Sequence, residues 1–346
     1  MKRILFCACV SFGIVGGIAR ADQGRIPVFQ PGALTQPGSY VLTRDITAAS
    51  GIPIVIQASN ITLDLNGHAI TGGSSVPRLI EIQSPYTDIR IENGRLIGGI
   101  KGIHLNAPAG NPGTSVSIHA VDFSDQIGDA VSIDNALSFE MTSCSITNVD
   151  YGVIVSGPGP SDPRASIRIV GNRIAQVSLD ALTLLWARSA LVYGNVFSEV
   201  SMRGMYIAGI SEALITKNVF GSSVSTGTSG ILMVDASGLI LDNTFRGMET
   251  AVWVSGSGSR IAGNQFVGPP AAAGGSPSAV ILGSSGYNGD RTLIELNKID
   301  MHSGCGLRFS TAAHDNIFRL NTLRGSGGIA VCDNGTGNSD AGANVY

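Results

Sequence analysis

Four side chains of this 346-residue chain have the types that acid–base chemistry needs: Asp129, Asp180, His104 and Arg203. Two carboxylates can divide the roles of general acid and general base, an imidazole titrates near neutrality, and a guanidinium fork can grip a carboxylate. Four more suit the holding of a substrate. The rings of Tyr206 and Trp253 can stack on sugar faces, Arg308 is a second forked donor, and Asp134 is a further polar candidate near His104. Each has a plainer reading too. Aspartate before a small residue is a common turn choice, and His104, Tyr206 and Trp253 equally suit a solvated surface. The sequence has no G-x-S-x-G, phosphate loop or zinc spacing, and its acidic residues are scattered. No cofactor or metal is therefore expected; calcium, which wants several converging carboxylates, has no motif here.

What must position these residues is a repeat. Segments 167–174, 190–197 and 213–220 each read apolar-x-apolar-x-x-Asn-x-apolar. The asparagine returns as Asn172, Asn195, Asn218, Asn243, Asn264, Asn297 and Asn321, and toward the N-terminus the same slot holds Cys144, Val121, Arg95 and His68. The period is about 25 residues, within the range of stacked arrays. Upstream of each slot lies a second alternating segment that opens on Gly or Ala, here called the G-strand. Examples are Gly102-Ile-His-Leu105, Gly152-Val-Ile-Val155, Gly204-Met-Tyr-Ile207 and Gly328-Ile-Ala-Val331. Three short strands fit one period, and nothing in it has helical length or spacing. A leucine-rich repeat shares the asparagine segment, but the apolar slots here prefer Ile, Val and Phe, and the rest of each period is strand.

Strict alternation places two columns outward on the G-strand face. One runs Glu81, His104, Ser132, Ile154, Thr183, Tyr206, Leu232, Trp253, Ile281, Arg308, Ala330; the other, at the strand start, runs Lys101, Asp129, Tyr151, Asp180, Arg203, Ser229, Thr250. With layers about 4.8 Å apart, Asp129 and Asp180 stand about 9.6 Å from each other at the backbone. That is close to the carboxylate separation of inverting glycoside hydrolysis. The longest connections, 106–114, 156–165, 267–278 and 283–292, flank this same strand.

The G-I-x-V strand followed by I-x-I-x-x-N-x-I resembles the right-handed parallel β-helix repeat of the pectin-lyase-like superfamily. Gln36–Leu42 and Asn60–His68 are similar to the opening coils of secreted bacterial members. The resemblance covers residues 60–331 and implies an all-β, right-handed, single-stranded parallel β-helix (a solenoid) of about eleven coils. Residues 22–59 would cap its open end, and residues 60–346 would form the β-helix domain with a short C-terminal cap. It also implies a substrate groove over the G-strand face. No reaction follows, because the superfamily includes lyases, hydrolases, epimerases and proteins without known chemistry. The paired Asp-Asp and G-H-G of polygalacturonase-like members are missing, as is the D-P-H of alginate-epimerase-like members; Asp162-Pro163-Arg164 lies in a loop.

Residues 1–21 read as a secretory signal: Lys2 and Arg3, an apolar run from Ile4 to Ile18, then Ala19-Arg20-Ala21. The run is too short for a membrane span, and no later one qualifies. Cleavage would leave three cysteines, Cys144, Cys305 and Cys332, which is no disulfide framework. Cys305 and Cys332 are one coil apart but five positions out of register, so a bond between them would need a distorted last coil. A net charge of −3 without a basic stripe speaks against nucleic acid. The expected protein is thus a monomer, secreted or periplasmic, that binds an extracellular polysaccharide and cleaves it as a lyase or hydrolase. The alternative is a non-catalytic carbohydrate-binding or structural module.

Overall fold

Alternating apolar residues can be buried only if each coil lays its strands against those of the next, and the computed structural model does this throughout. It describes residues 24–105, 107, 113–159, 162, 165–222, 227–268, 277–283, 288–301, 304–325 and 329–346. The expected signal segment 1–21 and most of the four long connections lie outside these. Among the described residues there are strands, turns and bends and no helix. The G-strands form one 13-stranded sheet, and the strands before and after the asparagine turn form a second of 24. The pairing is parallel in register, as Asp129–Ile133 on Tyr151–Ser156 and Ser189–Tyr193 on Glu212–Thr216 show. Stacking begins before residue 60: Gly32–Leu34 pairs with Ile54–Ile56, which pairs with Arg78–Ile82.

The interior is columns of like residues. Phe197, Phe220, Phe245 and Phe266 stack face to face at 4.7, 4.8 and 5.1 Å, all buried. Two of these rings press on the small residue of a G-strand, Phe220 on Gly204 and Phe245 on Gly230. A Cβ on Gly204 would meet both Phe220 Cδ1 and the carbonyl of Gly230 at 2.7 Å, so even alanine there would have to displace backbone.

The asparagine slot is a continuous hydrogen-bond ladder. Asn218 Nδ2 donates to Asn243 Oδ1 at 3.0 Å and to the carbonyls of Val192 and Thr216 at 2.9 and 3.1 Å. Its Oδ1 accepts from the backbone and side-chain amides of Asn195. The ladder runs from Asn172 to Asn321 and gains Asn344 at its end. At the other end the backbone N–H of Cys144 donates to Asn172 Oδ1, and Val121 donates to the Cys144 sulfur. Burial pushes that thiol up to about 11, so it stays protonated. The residue before the slot is left-handed in coil after coil, including Gly171, Gly194, Lys217 and Asp242. This turn leaves backbone groups that only a neighbouring layer can satisfy.

Two register expectations need correction. Arg95 pairs with Ala69 and Asp122, so the slot of that coil holds Gly94, not Arg95. In the last coil Arg308 pairs with Cys332, so Cys332, not Ala330, completes the outward column. The cysteines are therefore three positions apart, not five. They are bonded, with Cα atoms 6.0 Å apart and no break in pairing. The bond fits because the G-strand bends at its small residue, where the ladder skips one pairing, and this turns residues i and i+3 to the same side. Arg78–Glu81, Thr183–Asp180 and Arg308–Cys305 all touch in this way.

Replacing Asn218 by alanine should cost about 3 kcal/mol in urea unfolding, because several buried groups lose partners at once. The same change at half-buried Asn344 should cost less than about 1 kcal/mol.

Candidate functional site

The bend makes the two outward columns one strip. Because i and i+3 converge, a strand-start residue and its column neighbour lie side by side, and the next layer supplies further neighbours about 4.8 Å away. All eight candidates stand on or at the edge of this strip, but they are not grouped as a single catalytic cluster.

Asp180 is almost completely buried, and both its oxygens are taken by Arg203: Nε to Oδ1 at 2.7 Å and Nη2 to Oδ2 at 2.8 Å. Thr183 Oγ1 adds a third bond at 3.3 Å. The Arg203 guanidinium in turn lies 4.6 Å from the centre of the Tyr206 ring. Asp129 is matched by Lys101 Nζ at 2.8 Å, and Lys101 also reaches Ser132 Oγ at 3.4 Å. Tyr151 pairs with Asp129 in the ladder and fills the layer between the two ion pairs, half-buried. The carboxylates thus have the expected two-layer spacing, with each one held by a cation on its outer side.

His104 is 6% exposed, and among the described residues its Nδ1 has no hydrogen-bond partner. Burial, then the charges of Lys101 and Arg78, lower its pKa, so the ring is neutral near pH 7. Asp134 accepts from Ser156 Oγ at 3.1 Å and acts on His104 only through space. Trp253 is farther along, half-buried, with Nε1 donating to the carbonyl of Gly283 at 3.1 Å. Arg308 is at the far end against the disulfide, Nη2 to Cys305 Sγ at 3.6 Å. Among the described residues no group of three His, Cys, Asp or Glu side chains could hold a metal ion.

Sequence reasoning placed Lys101 and Tyr151 in the strand-start column without giving them a role, and it did not single out Arg78, which pairs with Glu81 at 3.1 Å. The signal was present in the order of signs down the column: Lys, Asp, Tyr, Asp, Arg. Concavities of about 390 and 610 Å³ lie elsewhere, at the C-terminal end of the core and over Leu191 and Leu214 on the other sheet. A third, of about 540 Å³, adjoins the ends of the G-strands at Ser255.

Replacing Arg203 by alanine would leave Asp180 buried without its counter-charge. The expected loss is about 2 kcal/mol, between the values for exposed and buried pairs, and a further Asp180→Asn change should recover part of it. For His104 the folded protein favours the neutral ring. Its contribution is complete above the ordinary value of 6.5 and is lost as pH falls below it. Thermal unfolding should therefore show a stability decline from pH 7 to pH 5 that His104→Gln flattens.

No curated protein matches the sequence. The family model described as "Right handed beta helix region" matches residues 101–268. Among solved structures, the Dettilon tailspike protein (gp208) superposes with a TM-score of 0.61 at 16% identity; the match covers 84% of this chain, which spans only 62% of the tailspike. The A-module of Azotobacter vinelandii mannuronan C-5 epimerase AlgE6 also gives 0.61, at 13% identity, over 89% of this chain and 90% of the module. Identities this low speak for fold alone. With the parallel ladders, the stacked interior and the family match over its middle coils, the chain has the right-handed parallel β-helix fold.

Proposed function

We propose that this protein is exported and engages a polysaccharide along its G-strand face. The observation that carries the proposal is the strip itself. Tyr151, Tyr206 and Trp253 are half-buried on an otherwise regular face, one of them backed by an arginine, and hydroxyls and paired charges stand between them. Rings held in this way offer apolar faces to sugar C–H surfaces at low entropic cost, and the neighbouring polar groups suit hydroxyls. A repeat along the rod axis also suits a ligand that is itself a repeating polymer. One structural neighbour is by name a mannuronan C-5 epimerase, which supports carbohydrate as the ligand class.

Where the bound chain is cleaved, by a lyase or hydrolase reaction, the work falls to His104, as a general base near neutrality, with Lys101 and Asp129 fixing charge beside it and Asp180 three coils further on. The non-catalytic reading is favoured by one specific observation: both carboxylates already have a basic side chain at 2.7–2.8 Å, and neither stands as an open acid or base.

Binding to a panel of glycans, followed by reducing-end and unsaturated-product assays on those retained, tests both. Tyr206→Ala and Trp253→Ala should each weaken binding by roughly tenfold with little change in Tm, as anchoring aromatics do. Retention of a glycan without product supports the non-catalytic reading. Product formation that survives His104→Gln would remove His104 from the chemistry.

A further inference from the structure

Resting on the polysaccharide reading, we infer that the ligand is an uncharged, hydroxyl-rich polysaccharide and not a polyuronate. Its site extends from the aromatic strip into the polar concavity beside Trp253.

The charge arrangement carries the first half. A substrate carboxylate is drawn to uncompensated positive charge. Arg203 gives Nε and Nη2 to Asp180, Lys101 is matched by Asp129, and Arg78 by Glu81, so each of these cations already has a carboxylate beside it. A uronate bound through the remaining donors of Arg203 would bring a second carboxylate to a guanidinium whose charge Asp180 balances, and the two like charges oppose each other. A polyuronate lying on the strip would also pass Glu81, Asp129, Asp134 and Asp180. Arg308 is remote from these, at the disulfide end. In the sequence, segments 106–114, 222–228 and 267–278 contain no lysine or arginine, and Arg164 and Arg291 each follow an aspartate within two residues, Asp162 and Asp290.

The concavity carries the second half. It measures about 540 Å³ and is lined by Ser211, Asp235, Ser237, Ser257 and Asn288, with Ser255 two residues after Trp253 on the same strand. Among the described residues its lining has hydroxyl, amide and carboxylate groups and no cation. Such a wall pairs with the donors and acceptors of sugar hydroxyls, and the single carboxylate repels an anionic ring.

Calorimetric titration of the full chain with gluco-, manno- and galacto-oligosaccharides, and with oligogalacturonate and oligomannuronate, tests this at low and high NaCl. A neutral oligosaccharide should bind, its affinity changing less than about twofold between roughly 50 and 500 mM salt, because no ion pair with the ligand is screened. Oligouronates should bind at least about tenfold more weakly, and Trp253→Ala should weaken the neutral ligand by a similar factor. Preferential, salt-sensitive binding of an oligouronate overturns the inference and leaves the polysaccharide reading standing. Binding of neither class overturns both.

Discussion

The structure depends on hydrogen bonding between layers. No coil of about 25 residues can bury its own apolar side chains or satisfy its own turn. The asparagine slot shows why. Its side chain reaches back to the carbonyl of the coil before and forward to the amide oxygen of the coil after, so that a left-handed turn, which would otherwise strand polar backbone in a buried position, is saturated. Where asparagine is replaced, the layers adapt: Cys144 accepts and donates through sulfur, and Gly94 simply makes room.

The same spacing governs the outer face. Residues in one column are forced to within about 4.8 Å of each other, and the bend in the G-strand adds the residue three positions on. Charged residues in such an array either alternate in sign or repel. The array here resolves into Lys101 with Asp129, and Asp180 with Arg203, with Tyr151 between. Side chains suited to acid–base work became partners of one another. A face built in this way presents rings and hydroxyls more than free charge.

A parallel β-helix hosts many activities, and its architecture names none of them. The structural neighbours, at 13 and 16% identity, share the winding and leave the chemistry to the side chains of this chain. Those side chains place a neutral imidazole, whose Nδ1 has no partner among the described residues, beside matched ion pairs, which is why His104 is the residue on which a catalytic and a non-catalytic protein would differ most.

Much of this was legible from residues alone. Alternation of apolar side chains, a recurring asparagine and a small residue at each strand start are local patterns, and stacking preserves them because every layer solves the same packing problem. The outward columns from Glu81 to Arg308 were correct for that reason. Spacing alone could not tell Gly94 from Arg95 in the slot, nor place the last coil, where Ala330 and not Gly328 occupies the small-residue position. Nor could a sequence show that i meets i+3 on the G-strand, since that contact exists only once the strand is laid against its neighbours. That proximity joined Cys305 to Cys332 and, with the layer spacing, matched each aspartate to a cation. Types and periods are properties of the chain; which charges neutralise each other is decided only when distant coils come into contact.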